Sequence, residues 1–139
     1  MNLGVMLGLV LTIANGEITI KAADFKPAKE IEKVEVFEAE AVKIKGLATL
    51  KIQLPASSGT GYRWELLGPD NGPIVFKKMS FVKPERPVFG APALQEFEFK
   101  ANPTSEGVSL QVVLVFNLRR PFEGLGTKVY QVRIIVGDS

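Results

Sequence analysis

The stretch Ser57-Ser58-Gly59-Thr60-Gly61-Tyr62-Arg63-Trp64 holds the residue types best suited to chemistry in this chain, and that chemistry is binding. Tiny, flexible residues end abruptly in two large aromatics with an arginine between them. Gly59 and Gly61 permit backbone angles with φ > 0, so the chain can bend sharply here and stay narrow. Tyr62 and Trp64 can root the bend, because large rings bury much apolar area. A slender finger on an aromatic root suits entry into a cleft; the ordinary alternative is a plain surface connection. Catalysis has few candidates. The chain contains no His and no Cys. That removes the usual general base near neutral pH, the commonest zinc ligand, thiolate chemistry and every Ser-His-Asp arrangement. No pair of Asp or Glu stands out from solvated strand faces as a candidate acid and base. The composition points to a non-enzyme with no catalytic residues, no metal site and no cofactor.

The elements that must position the finger are legible on both sides of it. Upstream, Ala48, Leu50, Ile52 and Leu54 alternate with other residues up to Pro55, within a strand read over Gly46–Leu54. Downstream, Tyr62, Trp64 and Leu66 alternate with Arg63 and Glu65. Period-two alternation around a Gly-rich break predicts strand, loop, strand. The second strand, Tyr62–Leu67, runs into Gly68-Pro69-Asp70-Asn71-Gly72-Pro73, a concentrated turn signal. Ile74–Val82 is the next strand, and Lys83–Ala93 a long connection holding Pro84, Pro87 and Pro92. Gln95, Phe97, Phe99 and Ala101 then alternate with Glu96, Glu98 and Lys100, as a half-buried strand does. After a turn at Asn102–Gly107, Val108–Leu118 is apolar on both faces in its middle and reads as a central strand. Arg119–Thr127 is a loop and Val129–Val136 the closing strand.

Before the finger, Gly16–Lys45 offers short alternating pieces. Pro27 and the charges of Glu30–Glu40 mark them as edge strands, with a short helix over Ala28–Lys33 as the competitor. About seven or eight strands without a long helical period predict an all-β, immunoglobulin-like antiparallel β-sandwich.

A chain of 139 residues is expected to form one domain with a working core. Met1–Ala14 carries no charge and is mostly apolar from Leu3 to Ile13. It is too short to span a bilayer, which takes about 20 apolar residues. It is similar to the apolar part of an export signal, with Thr12 and Ala14 as small residues before a cut, although the positive leading segment is missing. A buried first strand is the alternative. The expected division is 1–14 as a signal or its remnant and 15–139 as a single sandwich domain, secreted or periplasmic. The net charge of +2 is too small to argue for nucleic acid or an anionic membrane. The mature chain is expected to be a monomer away from membranes.

Three loop motifs, in order and in strand context, resemble the chagasin-like inhibitors of papain-type cysteine peptidases over residues 42–136. The family's Asn-Pro-Thr-Thr-Gly-Tyr-x-Trp is matched at Ser57–Trp64, where Thr60-Gly61-Tyr62-x-Trp64 is kept and smaller residues replace the first half. Asn102-Pro103-Thr104-Ser105 is a decoy, since Glu106-Gly107 follows and it lies in another hairpin. A glycine-rich loop before Gln-x-Phe-x-Phe is matched by Gly90-Ala91-Pro92-Ala93 ahead of Gln95-Glu96-Phe97-Glu98-Phe99, with Ala93 where glycine is usual. A positive φ there would strain Ala93. The family's Arg-Pro-Trp is matched by Arg120-Pro121-Phe122, with Phe122 in place of tryptophan.

The resemblance implies a reversible inhibitor whose partner is a papain-type cysteine peptidase. It implies that the finger (Ser58, Gly59, Thr60, Gly61 and Tyr62) lies over the enzyme's catalytic pair. Gly90, Ala91, Pro92 and Ala93 would take the non-primed side, and Arg120, Pro121 and Phe122 the primed side. Two other classes compete: a structural or adhesive immunoglobulin-like module, and a carbohydrate-binding sandwich displaying Tyr62, Trp64 or Phe89. The alternation of Tyr62 and Trp64 with Leu66 favours burial over display.

Overall fold

The computed structural model describes residues 11–13, 16–56, 61–69, 72–82, 93–120 and 127–137. Among them the chain forms β1 (Leu11–Ile13), β2 (Glu17–Lys21), β3 (Lys26–Ile31), β4 (Val34–Glu38), β5 (Val42–Ile44) and β6 (Thr49–Ala56). These are followed by β7 (Arg63–Gly68), β8 (Ile74–Val82), β9 (Ala93–Ala101), β10 (Ser109–Arg119) and β11 (Lys128–Gly137). The strands make two sheets. One runs β1-β5-β11-β10-β7, with β4 also on β11 and β3 on β4; the other runs β2-β6-β9-β8.

This is the expected sandwich, with the strands of its second half where the alternation puts them. It holds more strands than expected because the segment before the finger breaks into five short ones. Those short strands also bring parallel pairings, β1 with β5, β2 with β6, and β4 and β5 with β11. The long strands pair antiparallel. Parallel neighbours need crossovers, and the early chain supplies them by passing between the sheets. The competing helix over Ala28–Lys33 does not form. Its place is taken by the β3–β4 hairpin, closed at Glu32 and Lys33 with φ of 47° and 71°. Two successive positive φ values are the mark of the primed hairpin turn, whose twist matches its strands. β1 lies inside the segment read as an export signal, and its backbone pairs with Val42–Ile44.

The core sits between the sheets. Leu50, Ile52 and Leu54 are fully buried on one face of β6, with Ala48 just before the strand buried in the same phase, as their alternation predicts. They meet a layer containing Leu114, Phe116, Val132 and Ile134. Phe116 packs between Phe97, with ring centroids 4.9 Å apart, and Phe99, at 6.5 Å. Each such side chain contributes about 1.5–3 kcal/mol by leaving water. β10 is only partly a central strand. β7 pairs with Val115–Arg119 alone, so Leu110 and Val113 in the uncovered half are 45% and 41% exposed.

Candidate functional site

Topology brings three connections to one end of the sandwich. In one sheet Ala56, the last residue of β6, pairs with Ala93, the first of β9, and Val82 at the end of β8 pairs with Leu94. The connections 57–62 and 83–92 therefore leave that sheet side by side. In the other sheet Arg63, the first residue of β7, pairs with Arg119, the last of β10, and Leu118 pairs with Lys128 at the start of β11. The connections 57–62 and 120–127 leave there together. The finger is the segment that crosses from one sheet to the other, so its roots stand between the other two. Asn102, by contrast, accepts its place at the opposite end, where its N–H donates to the Pro73 carbonyl. The nine-residue strand β9 separates that turn from the site end by about 27 Å. The decoy motif is far from the finger.

The finger's downstream root is locked by hydrogen bonds between the sheets. The Trp64 backbone N–H donates to Gln95 Oε1 at 2.8 Å, and Gln95 Nε2 donates back to the Trp64 carbonyl at 2.7 Å. The Trp64 indole Nε1 donates to the Pro55 carbonyl at 2.9 Å, tying β7 to the end of β6. Trp64 and Gln95 are 5% and 2% exposed. The buried polar side chains among the described residues are Gln95, Glu96 and Asn117, all close to this end. Glu96 accepts from Gln53 Nε2 at 2.7 Å, and Asn117 Nδ2 donates to the Lys128 carbonyl, where the third connection rejoins the sheet. Polar groups held this way specify a unique arrangement at the roots.

Below the finger the aromatic root is broader than the sequence suggests. Tyr130 lies 4.5 Å from Trp64, 4.7 Å from Phe25 and 4.9 Å from Phe37, ring centroid to centroid. Burial, and then the negative charge of Glu35, pushes the Tyr130 phenol above its ordinary value of 10.0.

Among the expected site residues, Gly61 has φ of +81°, the left-handed region, which is the reason for glycine at this point. A side-chain carbon there would find Arg120 Cδ at 4.0 Å as its nearest neighbour, so space is not the constraint. Tyr62 is half-buried beneath Arg120, whose guanidinium carbon sits 4.8 Å from the ring centroid. That contact joins the first and third motifs, although Tyr62 itself stays outside the core that Trp64 enters. Ala93 is the first strand residue of β9 and lacks positive φ, so the expected strain does not arise. Ser58, Gly59, Thr60, Gly90, Ala91, Pro92, Pro121 and Phe122 lie outside the described residues.

Three interactions at this end were missed by the sequence reading. Gln95 occupies the inward phase of its strand, and a polar residue in a buried phase signals a hydrogen-bonded group. Arg63 and Phe81 meet across the flank, the guanidinium carbon 5.1 Å from the ring centroid. Arg119 pairs with Glu65 at 3.3 Å, an exposed ion pair of small energetic weight.

A family model described as the chagasin family peptidase inhibitor I42 matches residues 43–134. No curated protein matches the chain. Among solved structures the chain is similar to the cysteine protease inhibitor EhICP2 from Entamoeba histolytica, with a TM-score of 0.63 and 14% identity. That match covers 87% of this chain and 96% of the other. It is also similar to amebosin, with a TM-score of 0.53 and 14% identity over 88% and 97% of the two chains. A third likeness is to PbICP-C in its complex with falcipain-2, with a TM-score of 0.50 and 19% identity over 86% and 97%. At such identities these structures share the fold with this chain, while the family match carries the kinship.

Proposed function

The chain belongs to the chagasin family of peptidase inhibitors, and from that premise we propose that it blocks papain-type cysteine peptidases by laying its three adjacent connections across the cleft. It is an inhibitor and not an enzyme. The single observation that supports this mode of action is the convergence of the roots of 57–62, 83–92 and 120–127 at one end, with the finger central. Tiny side chains in the finger let the main chain approach a catalytic thiolate closely. The Gln95 clamp and the Arg120–Tyr62 contact hold its downstream root before any enzyme arrives. A connection held at its root loses less entropy on association, and proline at 92 and 121 narrows the backbone freedom of the flanking connections in the same sense. Phe122 supplies an apolar anchor and Arg120 donors for the rim. An interface of the standard size, about 1,600 Å² in total, suffices for tight binding.

The sugar-binding alternative needs displayed aromatics, and Trp64 is 5% exposed. The seating is tested on Thr60→Asp and Phe122→Ala against papain. Affinity is expected to fall, by roughly 1–3 kcal/mol for Phe122→Ala, while the melting temperature stays put. A large stability loss with unchanged affinity per folded molecule would take the altered connection out of the interface.

Residues 1–14 fit an export signal by composition, giving a secreted or periplasmic inhibitor. Cleavage after Ala14 would remove β1 with its three pairs on β5. Exported protein whose intact mass begins at Asn15 supports this; full-length protein recovered only from the cytosol rejects it.

A further inference from the structure

We infer that Arg63, seated on Phe81, is a fourth contact of the inhibitor and takes an acidic side chain on the rim of the peptidase cleft. The inference rests on the proposed seating of the three connections and adds to them a contact carried by strands. Arg63 follows Tyr62 directly at the start of β7 and is exposed. Phe81, on β8 two residues before the 83–92 connection, is 46% exposed, a large apolar ring left at the surface. β7 and β8 are the outermost strands of their sheets on this flank. The pair therefore bridges the side of the sandwich between the finger and the second connection. A guanidinium resting on an aromatic face is held in place without a carboxylate, and its charge and donors stay available to a partner.

The surrounding charges define what that partner must be. Arg63 stands directly opposite Arg119 in the β7–β10 ladder, and like charges so placed repel. Glu65 answers Arg119 at 3.3 Å. Among the described residues no carboxylate forms an ion pair with Arg63, while Arg120 lies over Tyr62 at the same end. In the connections themselves Lys83 and Arg86 are balanced by Glu85 and Glu123. This end of the molecule is thus locally positive although the whole chain carries only +2. Charge of one sign beside a binding surface steers the opposite sign into it and sets partner choice more than raw affinity. An acidic cleft rim is the complement.

The test is the association rate of the full chain with two papain-type peptidases, one bearing acidic residues along its cleft rim and one bearing basic residues. With the acidic-rimmed enzyme, the wild-type rate should fall about tenfold as ionic strength rises from about 0.05 to 0.5 M. Arg63→Gln should lower the low-salt rate about three- to fivefold and flatten the salt dependence, with the melting temperature unchanged. Arg63→Lys should keep the salt dependence, and Phe81→Leu, which removes the seat, should fall between. The basic-rimmed enzyme should show none of these losses. An Arg63→Gln variant with wild-type rate and salt dependence, beside a wild type that inhibits, would overturn the fourth contact alone. A folded wild type that inhibits neither enzyme would overturn the proposed function and the contact with it.

Discussion

Replacing Gln95 by leucine should unlock the finger's root with little change in packing volume. The wild-type amide satisfies both backbone groups of Trp64, accepting from its N–H at 2.8 Å and donating to its carbonyl at 2.7 Å. At 2% exposure Gln95 leaves no easy route for water to replace it. Each buried backbone group left unmet costs about 1–3 kcal/mol, so the pair together is expected to cost about 2–5 kcal/mol. For a domain of this size that corresponds to a drop in melting temperature of roughly 7–17 °C. Urea unfolding with an unchanged slope and a lower midpoint would register the loss as stability. At a temperature where the variant is still folded, inhibition should also weaken by about tenfold, or 1.4 kcal/mol. Gln95→Glu adds a check of direction. Its carboxylate can accept from the Trp64 N–H but offers nothing to the carbonyl until protonated, so this variant should gain stability as pH falls. A Gln95→Leu loss below about 0.5 kcal/mol would show that other groups satisfy Trp64 and that the clamp is incidental.

Three further outcomes are expected. Trp64→Ala should lose roughly 3–5 kcal/mol in chemical denaturation, as a core truncation that also strips the Pro55 carbonyl of its donor. Any residue replacing Gly61 must adopt φ of +81°, so Gly61→Ala should lose about 1–2 kcal/mol through strain alone, since the nearest atom is 4.0 Å away. With the Tyr130 phenol raised in the folded state, the unfolded chain ionises first, so stability should decline as pH rises past about 10. Tyr130→Phe should flatten that alkaline decline in an unfolding series.

What could be read from the sequence was whatever has a short period. Leu50, Ile52 and Leu54 alternate along one strand and are buried together; Gly61 precedes its aromatic root and takes the positive φ expected of a narrow bend. What could not be read were contacts between residues far apart in the chain. Gln95 shares its phase with Phe97 and Phe99, and only the meeting of two sheets reveals that its partner is the Trp64 backbone. Arg120 over Tyr62 and Arg63 over Phe81 depend in the same way on which strands lie side by side. β10 looked central because its residues are apolar, yet β7 is too short to cover Leu110 and Val113. Of the early strands, β2 is the edge it was read as, whereas β4 lies between β3 and β11 and β5 between β1 and β11; as strands all three were legible. Their parallel entry into both sheets was not, because crossovers leave no local pattern.

The most direct measurement is an equilibrium titration of the purified, folded protein into active-site-titrated papain. The expected result is a stoichiometric loss of activity that is regained on dilution, with the inhibitor recovered uncut and serine and metallopeptidases unaffected. Full papain activity at micromolar concentrations of folded protein, or steady cleavage within residues 57–62, would contradict it.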